Sequence, residues 1–171
     1  YLSYTEGAAE GDKGNGLAVF RARLRGNALV DGQVLFRQTP KVSSQLHCSG
    51  RMIFGPDGRL YVGLGDRFSH KDEVQSLGNH FGKLVRLDAD SGAAPADNPF
   101  VGKAGALPEV FTLGHRNIQG LAWHPTRGEL WATEHGRSGI ASGYDELVMI
   151  EAGKIYGWSG YEGDEPGAGI V

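Results

Sequence analysis

The sequence predicts an all-β fold assembled from repeated four-stranded sheets, and three observations support this prediction. First, glycine accounts for 28 of the 171 residues, and the glycines punctuate short apolar runs, which favours many turns between short strands over long helices. Second, apolar residues in these runs alternate with polar ones or follow one another directly, as in sheets that stack against neighbouring sheets. The third observation is an internal repeat.

The repeat begins with a strand–turn–strand unit. Residues 50–66 (GRMIFGPDGRLYVGLGD) align with residues 119–136 (QGLAWHPTRGELWATEHG), with one extra residue in the second turn. In the GPDG sequence, proline presets one backbone dihedral angle and glycine permits the next. Hairpin turns are therefore expected at 55–58 and 125–128.

Further strands follow each unit. A third strand is predicted three times and a fourth strand twice, in residues 16–24, 82–89 and 145–153, and in residues 33–38 and 109–114. A repeat of about 60 to 70 residues with four strands suits one blade of a β-propeller with a long insertion. The chain then holds about two and a half blades, and we expect residues 1–171 to be a piece of one propeller domain that continues at both ends.

Composition argues against several classes of protein. The net charge is −3 and neither sign forms a long run, so neither a nucleic-acid-binding surface nor a polybasic membrane surface is expected. No apolar stretch approaches the roughly 18 residues of a membrane span. Cys48 is the only cysteine, so an internal disulfide is excluded.

Polar residues at the junctions between blades are the first candidates for chemistry. His47 lies between the fourth strand of one blade and the first strand of the next, and His115 and Arg116 occupy the equivalent junction. Such residues lie near the central channel of a propeller, where they can bind a ligand or form buried structural hydrogen bonds. Cys48 is not favoured as a nucleophile with His47, because neighbouring residues of an extended segment point to opposite faces.

Among phosphate-binding and metal-binding motifs, the sequence indicates only a calcium site. The segment GNHFGKL (78–84) is one residue too short for a phosphate loop and lacks a Ser or Thr after its lysine. The histidines show no close spacing such as H-x-x-x-H, which argues against zinc. Asp145 and Glu146 offer the oxygen ligands that calcium prefers, with a solvated turn as the alternative interpretation.

An ordered set of motifs runs through nearly the whole chain. The motifs are HCSGRMIFGPDGRLYVGLGD, GKLVRLDADSG, PADNPF, GHRNIQGLAWHP, TEHG and DE followed by YGW. In this order they resemble the soluble quinoprotein glucose/aldose dehydrogenases, also called the glucose/sorbosone dehydrogenase family. The resemblance implies a six-bladed β-propeller that binds pyrroloquinoline quinone (PQQ) and Ca²⁺ and oxidises aldose sugars at C1 to the lactone. It also implies an external electron acceptor and a periplasmic or secreted location.

The resemblance assigns roles to individual residues. His47 matches the general base that takes the proton of the C1 hydroxyl, and Asp66 matches the carboxylate that orients its imidazole. Arg116 and Asn117 match residues that contact PQQ, and the guanidinium would stabilise negative charge on the quinone. Gly136 and Arg137 match the residues whose carbonyls bind the calcium ion at the cofactor. A second, structural calcium ion is matched by Asp145, Glu146 and Tyr156.

The chain departs from the family pattern at three places. Arg137 stands where the family usually has proline, and the loop 137–146 that follows is longer than usual. The segment 67–76 matches poorly, so the resemblance assigns no cofactor contact to Gln75.

Two other functions stay open at this point. One is a calcium-dependent propeller that hydrolyses lactones, since such enzymes also use channel carboxylates and histidine. The other is a non-catalytic propeller that binds sugars or proteins, which is favoured if His47 or Asp66 points away from the channel.

Overall fold

The structure is a computed structural model that describes residues 1–9, 12–138 and 144–160. These residues contain ten β-strands and one short 3₁₀ turn, Lys71–Glu73. The strands are β1 (Leu2–Gly7), β2 (Asn15–Arg25), β3 (Ala28–Arg37), β4 (Met52–Phe54), β5 (Leu60–Leu64), β6 (Lys83–Leu87), β7 (Val110–Leu113), β8 (Ile118–Trp123), β9 (Leu130–Glu134) and β10 (Glu146–Ile150). All of these strands pair antiparallel, so the predicted all-β fold is confirmed. In the part of the chain that is described, no helix is long and apolar enough to cross a membrane.

The strands form three sheets whose order follows the predicted repeat. The middle sheet has the order β4-β5-β6-β7, and it is flanked by the sheets β1-β2-β3 and β8-β9-β10. β5 and β9 are the second strands of the aligned units, β6 and β10 are the third strands, and β3 and β7 are the fourth strands. Ten strands at four per blade make about two and a half blades, as the sequence predicts.

Both predicted hairpin turns are present. In the first, the amide of Gly55 donates to the carbonyl of Arg59 at 2.8 Å. Gly58 closes this turn with a φ of +72°, a conformation that glycine adopts without a steric penalty. In the second, the amide of His124 donates to the carbonyl of Glu129 at 2.7 Å.

The core lies between the sheets rather than under one of them. β5 and β6 are buried along their whole length, because each face of the middle sheet packs against a neighbouring sheet. One apolar cluster joins the first and middle sheets, and its members are Leu17, Val19, Phe36, Leu60, Val62, Leu64, Val85 and Leu87. A second joins the middle and third sheets, with Tyr61, Leu84, Ile118, Leu130, Ala132, Ile150 and Tyr156. The alternation of Leu60, Tyr61 and Val62 between the two clusters explains why the strand is apolar throughout.

One end of the sheets gathers the residues that the sequence singles out. Leu64 at the end of β5 pairs with Lys83 at the start of β6, and Lys83 pairs with Leu113 at the end of β7. In the third sheet, Ile118 at the start of β8 pairs with Glu134 at the end of β9. The β3–β4, β5–β6, β7–β8 and β9–β10 connections therefore lie at this end, and the two hairpin turns lie at the other. We call it the site end.

Candidate active site

His47 and Asp66 form a direct side-chain contact at the site end. The Nδ1 atom of His47 lies 2.6 Å from Oδ1 of Asp66. The imidazole is 15% exposed, whereas the carboxylate is 1% exposed. A carboxylate at Nδ1 selects the tautomer with its proton on Nδ1 and leaves the lone pair on Nε2. Nε2 has no hydrogen-bond partner among the described residues, so this atom can accept a proton from a ligand.

The Asp66 carboxylate is held by two further donors. The backbone amide of Phe68 donates to Oδ1 at 2.8 Å, and the indole Nε1–H of Trp158 donates to Oδ2 at 2.7 Å. The backbone amide of Asp66 in turn donates to the carbonyl of Arg116 at 2.8 Å. Asp66 is thus fixed between the His47 segment, its own loop and the next blade junction.

The backbone around this contact has an unusual conformation. His47 and Ser49 on one segment, and Arg67 and Phe68 on the other, have positive φ angles between 48° and 69°. Each such angle in a non-glycine residue costs of the order of 1–3 kcal/mol, and such residues cluster at functional sites. Gly65 allows the two segments to touch, because a Cβ atom there would lie 2.0 Å from the His47 carbonyl oxygen.

Arg116 and Asn117 are both buried at the adjoining junction, between β7 and β8. The guanidinium of Arg116 donates to the Gly136 carbonyl and to Oγ of Ser138, and its Cζ atom lies 5.0 Å from the centre of the Trp158 ring. Nε of Arg116 and Oδ1 of Asn117 are buried and have no partner in the described residues. Unpaired buried polar atoms are rare in folded proteins. A donor and an acceptor on adjacent residues fit a ligand with both kinds of group, and PQQ has carbonyl and carboxylate oxygens together with a pyrrole N–H.

His115 belongs to a buried structural network instead. Its Nδ1 atom lies 2.8 Å from Oε1 of Glu134, and its Nε2 atom lies 2.8 Å from Oγ1 of Thr112. The ring stacks on Tyr156 and is fully buried. The other Glu134 oxygen accepts the backbone amide of Arg116 at 2.8 Å. The structural alternative therefore applies to His115, and Glu134 fixes the backbone that carries Arg116.

Two residues of this site were not assigned roles by sequence reasoning. Glu134 lies in the motif TEHG and Trp158 in the motif YGW, so both were inside recognised motifs. Only the folded chain shows that they contact Arg116 and Asp66.

Comparison with known proteins decides the family. The sequence profile of the family described as "Glucose / Sorbosone dehydrogenase" matches residues 1–168. The chain belongs to the glucose/sorbosone dehydrogenase family. It is 38% identical over 158 residues to an aldose sugar dehydrogenase of Escherichia coli, an alignment that covers 92% of this chain and 41% of that protein. It is 36% identical over 143 residues to quinoprotein glucose dehydrogenase B of Acinetobacter calcoaceticus, covering 71% of this chain and 28% of that protein.

Solved structures show the same relationship. The crystal structure of the soluble aldose sugar dehydrogenase of E. coli in its apo form superimposes with a TM-score of 0.83 at 39% identity. That match covers 92% of this chain and 44% of the other. The chain thus spans less than half the length of these relatives of the glucose/sorbosone dehydrogenase family.

The residues that match the family's calcium ligands lie at the site end but are engaged with other groups. The Gly136 carbonyl accepts from Arg116, and the Tyr156 carbonyl accepts the amide of Trp158 at 3.0 Å. Oδ1 of Asp145 accepts the amide of Gly136 at 3.2 Å. Arg137 is exposed beside Gly136, Glu146 is the first residue of β10, and residues 139–143 of the long loop lie outside the described part. Residues 1–9, 12–138 and 144–160 contain no group of three or more His, Cys, Asp or Glu side chains that could hold a metal ion.

This arrangement does not fit a calcium ion at the Gly136 carbonyl while Arg116 occupies it. A guanidinium and a divalent cation at one oxygen repel each other. The calcium roles of these residues therefore stay predictions.

Removing the guanidinium is expected to make room for the ion. Arg116→Gln should bind Ca²⁺ at least roughly tenfold more tightly than the unchanged chain, because the repulsion between the two cations is lost. Isothermal titration with CaCl₂, without PQQ, measures this difference. Arg127→Gln, in the hairpin at the opposite end, is the matched control. Equal affinities of all three proteins would contradict the interpretation.

Proposed function

We propose that the intact protein oxidises aldose sugars at C1 to the lactone with PQQ as cofactor, and that His47 is the general base. The observation that carries this proposal is the direct His47–Asp66 contact, with Nε2 of His47 left without a partner. A neutral imidazole whose Nδ1–H is held by a carboxylate is well suited to accept a proton at Nε2. The family relationship supports the choice of sugar as substrate.

The base and the candidate cofactor residues lie close together. Asp66 and Arg116 are joined by a backbone hydrogen bond, and a Cβ atom on Gly65 would contact both the His47 carbonyl and Oδ1 of Asn117. One part of the site end therefore contains a proton acceptor and the two unpaired polar atoms on Arg116 and Asn117.

The roles of the chain's own residues follow from these contacts. His47 would take the proton of the C1 hydroxyl at Nε2, and Asp66 would hold the ring and stabilise the imidazolium that results. Arg116 and Asn117 would bind the polar edge of PQQ, and the guanidinium would stabilise negative charge there. The chemistry that bound PQQ supplies is acceptance of the hydride that leaves C1. An external electron acceptor would then restore the cofactor.

Other elements of the proposal rest on the family relationship. They are the structural Ca²⁺ at Asp145, Glu146 and Tyr156 and a periplasmic or secreted location. A Ca²⁺ at Gly136 and Arg137 would in addition require the Arg116 guanidinium to leave the Gly136 carbonyl. The domain would be a single propeller of which residues 1–171 form a part.

A test of the general function compares cofactor and substrate dependence. Reduction of a dye that requires both glucose and added PQQ is expected from the intact protein. Hydrolysis of lactones without PQQ would favour the lactonase alternative, and sugar binding without either reaction would favour a non-catalytic propeller.

Replacing Asp66 tests the orienting role of the carboxylate. Asp66→Asn is expected to lower turnover by roughly 10- to 100-fold, the range seen when the carboxylate partner of a metal-binding imidazole is altered. The loss should be smaller than that in His47→Ala, since the base remains. Steady-state dye reduction measures both, and Asp72→Asn, an exposed change in the same loop, is the control. A normal rate in Asp66→Asn would show that the carboxylate does not orient the base.

A further inference from the structure

We propose that Trp158 is a positioning residue that couples the His47–Asp66 pair to Arg116. This inference rests on the proposed function, because it concerns how the base of that reaction is held. Trp158 is the described residue that contacts both halves of the site through its side chain: its indole N–H reaches Asp66, and its ring lies beside the Arg116 guanidinium.

Because of the contact with Trp158, the two oxygens of the Asp66 carboxylate have different side-chain partners. Oδ1 faces the imidazole at 2.6 Å, and Oδ2 accepts the indole N–H at 2.7 Å. A donor on Oδ2 draws negative charge away from Oδ1 and so weakens the hold of Asp66 on a protonated His47 ring. Without the indole donor, Oδ1 would stabilise the imidazolium more strongly. Trp158 therefore limits how strongly the Asp66 carboxylate stabilises a protonated His47 ring.

The contact with Arg116 uses the face of the same ring. The Cζ atom of Arg116 lies 5.0 Å from the ring centre, within the range of a cation–π interaction. Loss of the ring would leave the guanidinium with its hydrogen bonds to Gly136 and Ser138 only. The two contacts of Trp158 can be separated, because phenylalanine keeps an aromatic face and lacks the N–H, whereas leucine lacks both.

Backbone hydrogen bonds to the loops of the middle sheet hold Trp158 in position. Its amide donates to the carbonyl of Gly114 at 3.0 Å, and its carbonyl accepts Nε2 of Gln75 at 2.7 Å. Gln75 follows Val74, whose carbonyl accepts both the amide of Gly114 and the buried ammonium of Lys83. Thus Gln75, which the sequence left without a cofactor role, supports the site through Trp158.

Several other charged or titratable groups near His47 could also affect the titration of its imidazole. Asp66 and Arg67 come from the β5–β6 connection, Cys48 comes from the same segment as His47, and Arg116 comes from the β7–β8 connection. Arg67 is fully buried and donates to the sulfur of Cys48. Trp158→Phe keeps all of these groups and an aromatic ring beside Arg116, and it removes only the indole donor to Asp66, so a change in the titration of His47 reports that lost donor.

The experiment is an NMR titration of the intact protein with ¹³Cε1-labelled histidine, without PQQ or sugar. His47→Gln assigns the His47 signal. In Trp158→Phe the pH midpoint of this signal should rise by about 0.5 to 1 pH unit, as expected for a lost hydrogen bond to a charged group. Trp131→Phe is the matched control, since it removes an indole donor to Glu129 at the opposite end and should leave the midpoint unchanged. Equal midpoints in Trp158→Phe and the unchanged chain would overturn the proposal.

A second measurement needs no variant and covers the case in which Trp158→Phe does not fold. In the unchanged chain, the indole ¹⁵N–¹H signal of Trp158 should shift with pH at the same midpoint as the His47 ring. An indole signal that does not follow His47 would also overturn the coupling. Neither measurement involves catalysis, so failure of the dehydrogenase assignment and failure of this inference are distinguishable. In the PQQ-loaded intact protein, the acid limb of kcat/KM in Trp158→Phe should move to higher pH by the same amount.

Discussion

Replacing His47 with alanine is expected to lower the turnover of aldose oxidation by about 10²- to 10⁴-fold, the usual contribution of a general base. The substitution removes the imidazole, whose Nε2 atom has no hydrogen-bond partner among the described residues, and takes away one of the three groups that contact the Asp66 carboxylate. PQQ binding should change little, because Arg116 and Asn117 come from another junction. Dye-linked kinetics and a PQQ titration by cofactor absorbance measure the two effects separately.

The control for this variant is His124→Ala. His124 lies in the hairpin turn at the opposite end of the sheets, where its Nδ1 atom accepts from turn amides. It should retain normal turnover, although the turn loses hydrogen bonds. Near-normal turnover in His47→Ala would remove His47 from the mechanism, whatever the family relationship.

Adding a single methyl group at Gly65 is expected to disrupt the site almost as strongly. The Cβ atom of Gly65→Ala would lie 2.0 Å from the His47 carbonyl oxygen and 2.9 Å from Oδ1 of Asn117. Backbone cannot yield as a flexible side chain can, so the two segments must move apart. A displacement of about 1 Å at a reacting group can cost on the order of 10²-fold in rate. Overpacking should also lower the free energy of unfolding by about 1–3 kcal/mol.

Turnover and urea unfolding of Gly65→Ala test this prediction together. The control is Gly7→Ala at the end of β1, where an added Cβ atom meets nothing within 4 Å. It should leave the rate and the stability close to those of the unchanged protein. A fully active and fully stable Gly65→Ala would mean that the close approach of the two segments is not required.

The fold was largely predictable because its signals are local and repeated. The units at 50–66 and 119–136 carry turn residues whose dihedral preferences are properties of the residues themselves. Strand boundaries shifted by a few residues: the predicted strand 82–89 is β6 at Lys83–Leu87, for example. The pairing of β5 with its neighbours then follows from the hairpin connections.

The site was predictable only in part, because its contacts join residues far apart in the sequence. The family resemblance pointed to His47 and Asp66, and the antiparallel units place both at the same end. Trp158 reaches Asp66 across 92 residues, and no periodic pattern encodes that distance. The positive φ angles of Arg67 and Phe68 are equally invisible, because neither residue type favours that conformation. These angles are imposed by the surrounding contacts rather than by local preference.

The hydrogen bond between Arg116 and Gly136 likewise could not be predicted from the sequence and is seen only in the structure. The motifs GHRN and TEHG suggest a cofactor contact and a carbonyl ligand as independent features. In the structure the guanidinium of Arg116, from the first motif, donates to the carbonyl of Gly136, from the second. Their roles toward PQQ and Ca²⁺ are therefore coupled.

The proposed function requires that this site breaks the C1–H bond of an aldose in a PQQ-dependent reaction. The most direct test compares dye reduction by the PQQ-loaded intact protein with glucose and with glucose carrying deuterium at C1. The proposed function predicts a reaction that requires PQQ, yields the lactone, and is slower for the deuterated sugar in a single turnover. Dye reduction that is independent of PQQ, or a sugar recovered unchanged at C1, would contradict it.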